Sequence, residues 1–177
     1  DEVLSVQGCL SGSLGFIMTA VEDGAPFSEA VKMAYEKGFT EPDPAEDLSG
    51  MDVARKALIL ARTLGYRVNP EELQVKPLYQ QDLYDKNPQK FLENLRQQDE
   101  EFKETLMNAV RDKKTLRYTA SIQNGVVKVG PEVLPENSPL GRLRGTNNQV
   151  TIESQRYKEN PLIVTGPGAG AEVTAAG

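Results

Sequence analysis

The order of the hydrophobic patterns predicts an α+β fold with a predominantly antiparallel or mixed β-sheet that helices cover on one face. A short strand pattern near the amino terminus is followed by several helical patterns. At Leu116 the hydrophobic period changes from helical to strand-like, and it stays so for most of the remaining chain. Asn124 and Gly125 separate two of these strand patterns, and Asn-Gly at such a place predicts a type I′ hairpin.

The first strand pattern, residues 3–7, leads into a helix that Ser11 can cap and that ends at Gly24. Its inward face is expected to consist of apolar residues at helical spacing: Leu14, Ile17, Met18 and Val21. Gly12 and Ser13 begin this helix, where free N–H groups and the helix dipole favour a carboxylate or phosphate. Alternatively, Gly12 only allows a tight turn from strand to helix.

Two further helices are predicted before residue 66. The second is capped by Ser28, stops at Gly38 and turns three residues inward: Val31, Ala34 and Tyr35. The third covers residues 49–65, because Ser49 and Asp52 have the spacing of a capping box. Apolar residues on most of its circumference predict a largely covered helix, with Asp52 and Lys56 partly desolvated at its start.

Asn87 and Pro88 then open a long amphipathic helix whose inward residues are Phe91, Leu92, Leu95, Phe102, Leu106 and Val110. Its charged side chains are interpreted as a solvated face. After it, strands are predicted over residues 116–122, 126–129, 149–157 and 162–165.

The amino-acid composition limits the catalytic chemistry and the partners that we expect. The chain has 177 residues, a net charge of −6, no histidine and a single cysteine, Cys9, which is expected to be a buried apolar side chain. Histidine-dependent catalysis and Cys-rich zinc sites are therefore excluded, and acid–base chemistry falls to Asp, Glu, Lys or Tyr. Without clustered basic residues or a long apolar segment, neither nucleic acid nor a membrane is an expected partner, and we expect a cytoplasmic protein.

Residues 38–56 contain five carboxylates and two prolines, and they lead directly into the third helix. Asp52 and Lys56 lie one helical turn apart, so one interpretation is a surface ion pair worth about 0.3–0.5 kcal/mol. The other is that acids hold Lys56 as an oriented proton donor, in a loop that Pro42 and Pro44 stiffen. A hard cation would also suit these acids, but the spacing of a calcium loop is absent, and no metal site is predicted.

Three stretches carry a resemblance to a known family. FTEPDPAEDLSGMDVARK closely resembles the signature segment of homoserine dehydrogenases, and LSGSLGFIM and GPGAGAEVTAAG resemble its other fixed stretches in the same order. The resemblance implies an NAD(P)-dependent oxidoreductase that interconverts L-aspartate 4-semialdehyde and L-homoserine, in threonine and methionine biosynthesis from aspartate. It also implies a Rossmann cofactor domain followed by a substrate-binding domain whose sheet forms a homodimer.

The resemblance also implies roles for individual residues. Lys56 falls at the family's proton-donating lysine, and Asp52 at an acid that orients it. Glu41 falls at the glutamate that holds the substrate amino group, and Asp47 at an acid that lines the site. An ammonium group beside the aldehyde oxygen would stabilise the charge that builds there and then donate a proton.

Gly12 and Ser13 match the start of a helix that contacts the substrate through its backbone. Gly170, with Gly168 beside it, matches the glycine segment that approaches the nicotinamide cofactor. The chain departs from the family pattern at Phe39, where tyrosine is common, and at Ala45 and Glu46, where arginine and aspartate are common.

The resemblance divides the chain into a substrate-binding and dimerisation domain, residues 1–165, and a Gly-rich segment, residues 166–177, that returns to a cofactor domain. Gly166, Gly168 and Ala171 superficially fit the dinucleotide pattern GxGxxA, but only six residues follow Ala171. We therefore expect a fragment whose NAD(P) is mostly bound by a domain outside this chain, with little activity alone.

Two rival functions remain open at this point. The chain could serve only as a non-catalytic dimerisation module, which would show no substrate-dependent change in melting temperature. It could also belong to a related amino-acid dehydrogenase with a different substrate, which analysis of the reaction product would decide.

Overall fold

The computed structural model describes residues 1–176, which form a six-stranded sheet packed against helices. The strands are β1 Val3–Cys9, β2 Gln74–Val75, β3 Lys114–Gln123, β4 Val126–Pro135, β5 Asn147–Ser154 and β6 Leu162–Pro167. Their spatial order is β2-β4-β3-β1-β5-β6, and all pairs are antiparallel except β2 with β4. The predicted α+β class with a predominantly antiparallel, mixed sheet is confirmed.

The helices are α1 Gly12–Glu22, α2 Phe27–Glu36, α3 Pro44–Leu48, α4 Met51–Thr63, α5 Pro88–Asn94, α6 Asp99–Arg111 and α7 Ala171–Ala176. Short 3₁₀ turns occupy Pro70–Glu72, Gln81–Leu83 and Leu95–Gln98. No helix within residues 1–176 has both the length and the apolar character needed to cross a bilayer.

The two faces of the sheet differ in chemistry. Val6 pairs with Ile122 on one side and Ile152 on the other, and these side chains belong to the core beneath the helices. The residues that alternate with them form a second, polar face, which includes Ser5, Gln7, Ser121, Lys128 and Glu132. We call this surface the polar sheet face.

One end of the polar sheet face is covered by the segment between β4 and β5. Leu140 packs there against Cys9 and Leu134, and all three are buried. Cys9 is thus a buried apolar side chain, as its sequence context predicted. Arg117 is also buried on this face, where it pairs with Glu22 at 2.9 Å.

The hairpin between β3 and β4 has the predicted turn. Asn124 and Gly125 both have positive φ, 51° and 78°, as a type I′ turn requires. β4 is longer than predicted, since it continues through Pro131 to Pro135. β2 pairs only with Lys128 and Val129, so the later part of β4 is an edge where proline is tolerated.

Several helix boundaries differ from the prediction. α1 is capped by Ser11 as predicted, with Leu14 N–H donating to Oγ at 3.3 Å. The cap predicted at Ser28 is wrong, because α2 begins at Phe27 and the Ser28 N–H and hydroxyl both donate to Asp99. A carboxylate from α6, distant in sequence, therefore replaces a local capping side chain.

The other differences concern the third and fourth predicted helices. The capping box at Ser49 is wrong, because Ser49 ends α3 and α4 begins after Gly50. The predicted long amphipathic helix is divided into α5 and α6 by the 3₁₀ turn Leu95–Gln98. Val110 is 59% exposed rather than inward, because the buried face of α6 carries Phe102 and Ala109 instead.

Candidate active site

A cavity of about 460 Å³ lies where β1 ends and α1 and α4 begin. One wall carries side chains from α1, the acid-rich loop and α4: Ser13, Phe39, Asp47, Asp52 and Lys56. A second wall comes from β5, from the residue before it and from the segment that follows β6: Asn148, Thr146, Gly168 and Gly170. We call this space the Lys56 cavity, the first wall the acidic wall and the second the glycine wall.

Lys56 is held in one orientation by two oxygen atoms. Its Nζ lies 2.9 Å from the Leu10 carbonyl oxygen and 2.8 Å from Asp52 Oδ2. An ammonium group has three N–H donors, so these contacts leave one for a ligand in the cavity. The Leu10 contact distinguishes this pair from an ordinary surface ion pair, because it connects α4 to the end of β1.

The expected coverage of α4 is confirmed on the inner side of the helix and fails on its outer side. Its buried residues lie along one side, Val53, Ala54, Ala57 and Ala61, whereas Met51 and Ile59 are 47% and 64% exposed. The side chains of Lys56 and Asp52 retain 41% and 61% exposure. Leu58, Leu60 and Leu64 flank these residues and are partly buried against the core, so only Met51 and Ile59 of the apolar residues lie on the uncovered side.

Asp47 joins the acid-rich loop to the start of α1. Its Oδ1 accepts a hydrogen bond from the Ser13 hydroxyl at 2.6 Å, and its Oδ2 accepts one from the Glu41 backbone N–H at 2.8 Å. The Ser13 and Ser11 hydroxyl oxygens lie 3.0 Å apart. Asp47 therefore sets the position of both Ser13 and the Glu41 backbone.

The Glu41 side chain does not line the Lys56 cavity. It is exposed and faces an adjacent space of about 440 Å³, which Asp47 and Asp52 also line. Asp43 caps α3 by accepting from the Ala45 N–H at 3.0 Å, so it serves local structure. The five acids of residues 38–56 therefore lie in different places: some line the cavity, some line the adjacent space, and Asp43 caps α3.

Glycines allow close approach around the cavity. A Cβ on Gly12 would lie 3.0 Å from the Thr146 carbonyl oxygen, so α1 packs directly on the chain that enters β5. A Cβ on Gly168 would overlap the Asn148 carboxamide, and Gly170 has φ of 132°. Gly12 therefore allows α1 to pack closely on the chain that enters β5.

Phe39 supplies the apolar part of the acidic wall. It is 44% exposed, and its ring packs edge to face on Phe16 with centroids 5.1 Å apart. Among residues 1–176, no three acidic or cysteine side chains cluster closely enough to hold a metal ion.

Sequence reasoning missed three contributors: the Leu10 carbonyl, Thr146 and Asn148. A backbone carbonyl carries no sequence signal. Asn148, however, does carry a sequence signal. It is a polar residue on the same face of β5 as Val150 and Ile152, which pack against the core. That irregularity was readable as a polar group directed into a site.

The family model described as homoserine dehydrogenase matches residues 1–177. The chain is 40% identical over 176 residues to bifunctional aspartokinase/homoserine dehydrogenase 2 of Escherichia coli, covering 99% of this chain and 22% of that protein. It is 37% identical over 185 residues to the homoserine dehydrogenase of Saccharomyces cerevisiae, covering 100% of this chain and 51% of that protein. The chain therefore spans about a fifth to a half of these relatives.

Solved structures show the same fold. A crystal structure of a protein of unknown function from Candida auris superposes with a TM-score of 0.94 at 39% identity, covering 100% of this chain and 51% of that one. A homoserine dehydrogenase from Thiobacillus denitrificans superposes with a TM-score of 0.80 at 22% identity, covering 99% of this chain and 37% of that one. The second likeness concerns the fold alone.

Proposed function

Since this chain belongs to the homoserine dehydrogenase family, we propose that it binds the substrate in the NAD(P)-dependent interconversion of L-aspartate 4-semialdehyde and L-homoserine. The observation that carries this proposal is Lys56, whose ammonium group is fixed by Asp52 and by the Leu10 carbonyl at the wall of a cavity. The reaction requires a proton donor at a carbonyl oxygen, and we assign that role to this ammonium group.

Lys56 has two tasks in this mechanism. Its ammonium group stabilises the negative charge that develops on the substrate oxygen, and it then gives that oxygen a proton. A bound nicotinamide dinucleotide supplies the hydride to the carbonyl carbon. Asp52 keeps the ammonium directed at the cavity throughout, because its Oδ2 lies 2.8 Å from Lys56 Nζ.

The charged ends of the substrate match the acidic wall. We assign the substrate ammonium to the acids Glu41 and Asp47, of which Asp47 lines both the Lys56 cavity and the adjacent space. The substrate carboxylate suits the start of α1, where Gly12 and Ser13 present backbone N–H groups at the positive end of the helix dipole. A small amino acid with both charges is therefore favoured.

The glycine wall fits a flat nicotinamide ring. Gly168 and Gly170 have no side chains, so backbone rather than Cβ atoms border the cavity there. We assign these two residues to the nicotinamide end of NAD(P). We assign residues 1–165 to substrate binding and dimerisation and residues 166–177 to the connection with the part of the enzyme that binds the rest of the cofactor.

The decisive variant is Lys56→Ala in the full-length protein. We expect kcat for NAD(P)H-dependent reduction of aspartate semialdehyde to fall about 100- to 10,000-fold, the usual contribution of general acid catalysis. The KM should change little, because other groups bind the charged ends of the substrate. Steady-state kinetics measures both constants.

The matched control is Lys90→Ala, which removes an exposed lysine from α5 and should leave both constants unchanged. Near-normal turnover by Lys56→Ala would contradict the proposed role of this residue. Turnover only with another amino-acid aldehyde, identified by analysis of the product, would contradict the proposed substrate.

A further inference from the structure

Asn148 is a polar residue of the Lys56 cavity for which the proposed reaction so far has no use. It lies on β5 opposite Gly166 of β6, on the sheet face that packs beneath the helices. Within the described residues its Oδ1 is buried and has no hydrogen-bond partner. A buried acceptor without a partner is costly, so such a group calls for a functional explanation.

The carboxamide of Asn148 lies directly against Gly168. An added Cβ on Gly168 would overlap the side-chain amide, so only glycine allows this approach. The amide therefore borders the same backbone that forms the glycine wall. A flat group bound along the Gly168 backbone would therefore contact the Asn148 side chain.

The acidic wall carries the substrate-binding residues of the proposed function, Asp47, Asp52 and Lys56. Hydride transfer requires the nicotinamide ring within van der Waals distance of the substrate carbonyl carbon, so a bound ring would lie along the glycine wall to which the proposed function assigns it. Asn148 contributes the only carboxamide among the residues that line this cavity.

We propose that the Asn148 carboxamide binds the carboxamide of the nicotinamide ring. Oδ1 accepts an N–H bond from the ring carboxamide, and Nδ2 donates one to its carbonyl oxygen. This inference rests on the proposed function, and it assigns Asn148 as a cofactor-binding residue. A ring carboxamide has one acceptor and two donors, so an asparagine side chain matches it group for group.

A small rotation makes Oδ1 available. The χ2 torsion of asparagine has broad minima, so the amide turns about it at little cost. Asn148 already lines the cavity, and in the proposed complex this rotation would turn its buried oxygen toward the ring. The arriving N–H donor then satisfies the acceptor that has no partner among the described residues.

The test compares two reduced nucleotides by calorimetric titration of the full-length protein. One is NADPH or NADH, whichever the wild type binds, and the other is its 3-acetylpyridine analogue, in which a methyl group replaces the carboxamide nitrogen and its N–H donors. Wild type should bind the natural nucleotide about five- to tenfold more tightly, the effect of one hydrogen bond. Asn148→Ala should reduce this preference to near unity.

A conservative variant and a control variant distinguish nucleotide binding by Asn148 from a structural role of this residue. Asn148→Asp has nearly the same shape and keeps an acceptor, so it should retain a preference for the natural nucleotide. Asn147→Ala, one residue away on the other face of β5, should behave as wild type. If Asn148→Ala fails to fold, equal affinity of Asn148→Asp for the two nucleotides would still overturn the proposal.

The outcomes are distinct. Equal affinity of the wild type for both nucleotides, or an unchanged preference in Asn148→Ala, overturns the role of Asn148 while leaving the proposed function intact. Absence of semialdehyde reduction and of nucleotide binding by the wild type would overturn the proposed function, and this inference with it.

Discussion

Asp47 shows how one side chain can organise a site without being its reactive group. Both of its carboxylate oxygens accept hydrogen bonds, from the Ser13 hydroxyl and the Glu41 backbone N–H. The sequence indicated that acids surround Lys56, because their number and the prolines between them are visible in it. It did not indicate which acid serves which neighbour, because the partner of Asp47 on α1 is 34 residues away.

Asp47→Asn is therefore expected to impair substrate binding more than the chemical step. An amide offers only one acceptor oxygen, so if it accepts from the Glu41 N–H, its NH₂ group faces Ser13, whose hydroxyl must then accept rather than donate, and the negative charge is lost. We expect kcat/KM to fall about tenfold, mainly through KM, since one partly exposed charge-assisted hydrogen bond is lost. Steady-state kinetics in the full-length protein measures the change.

The control for this variant is Glu46→Gln, which alters the adjacent, exposed acid of α3 and should have wild-type constants. A tenfold loss in both variants would indicate that the net charge of the loop matters rather than the contacts of Asp47.

Cys9 gives the protein a specific sensitivity to alkaline pH. Burial raises the pKa of its thiol from 9.0 to about 12. Between these values the folded state keeps the proton that the unfolded state has released, so the free energy of unfolding falls as pH rises. This contribution is complete below about pH 9 and decreases by at most about 1.4 kcal/mol per pH unit above it.

Cys9→Ala should therefore show a shallower decline in stability at high pH. Urea unfolding at several values from about pH 8 to about pH 11 measures the free energy of both proteins. The variant should be less stable below pH 9, because a buried sulfur atom is lost. Parallel declines in the two proteins would show that the thiol ionises equally in the folded and unfolded states.

At the scale of elements, prediction succeeded where the signal was local. The Ser11 cap of α1 and the Asn124-Gly125 turn depend on neighbouring residues, and both are present. Prediction failed where a distant side chain took the place of a local helix cap. At the start of α2, for example, Ser28 donates its hydrogen bonds to Asp99. The start of α4 is a second such case, since it is set by Gly50 rather than by the capping box that Ser49 suggested.

Gly50 positions α4 and therefore Asp52 and Lys56. It has φ of 73°, and an added Cβ would overlap the hydroxyl of Tyr118. That hydroxyl donates to the Lys76 carbonyl at 2.9 Å, so it is not free to move aside. The first turn of α4 is thus fixed by a contact with β3 that contains no local sequence signal.

Gly50→Ala should destabilise the protein by about 2–3 kcal/mol, since a positive φ and an overpacked contact both oppose alanine. Urea unfolding measures this loss. In the double variant Gly50→Ala/Tyr118→Phe, the overlapping oxygen is absent, so the loss relative to Tyr118→Phe alone should be smaller. Equal losses in the two backgrounds would exclude Tyr118 as the cause.

At the scale of the whole molecule, the two faces of the sheet differ in what packs on them. Its apolar face carries the helices that shape the Lys56 cavity. Its polar face is open around Ser121 and Lys128, whereas Thr115, Arg117 and Thr119 of β3 are buried on it. Alternation of residue type predicted a sheet with one covered face, because strand periodicity places alternate side chains on opposite sides. It did not indicate that Arg117 would be buried on the polar side, since that depends on the segment between β4 and β5.

We propose that the polar sheet face forms the contact of a homodimer, and Ser121→Arg tests it. Ser121 lies beside Gln7 on β1 and opposite Lys128 on β4, in the middle of this face. A stable interface buries about 800 Å² per partner, so a long cation beside Lys128 would introduce both bulk and like charge at its centre. Sedimentation equilibrium should show a dimer for the wild type and at least about tenfold weaker association for the variant.

Lys32→Glu, on the exposed side of α2, is the matched control and should remain dimeric. Circular dichroism should be unchanged in Ser121→Arg, because the residue faces away from the core. A dimer of undiminished affinity in this variant would contradict the proposal that Ser121 lies at the centre of the interface. A monomeric wild type would contradict the homodimer itself.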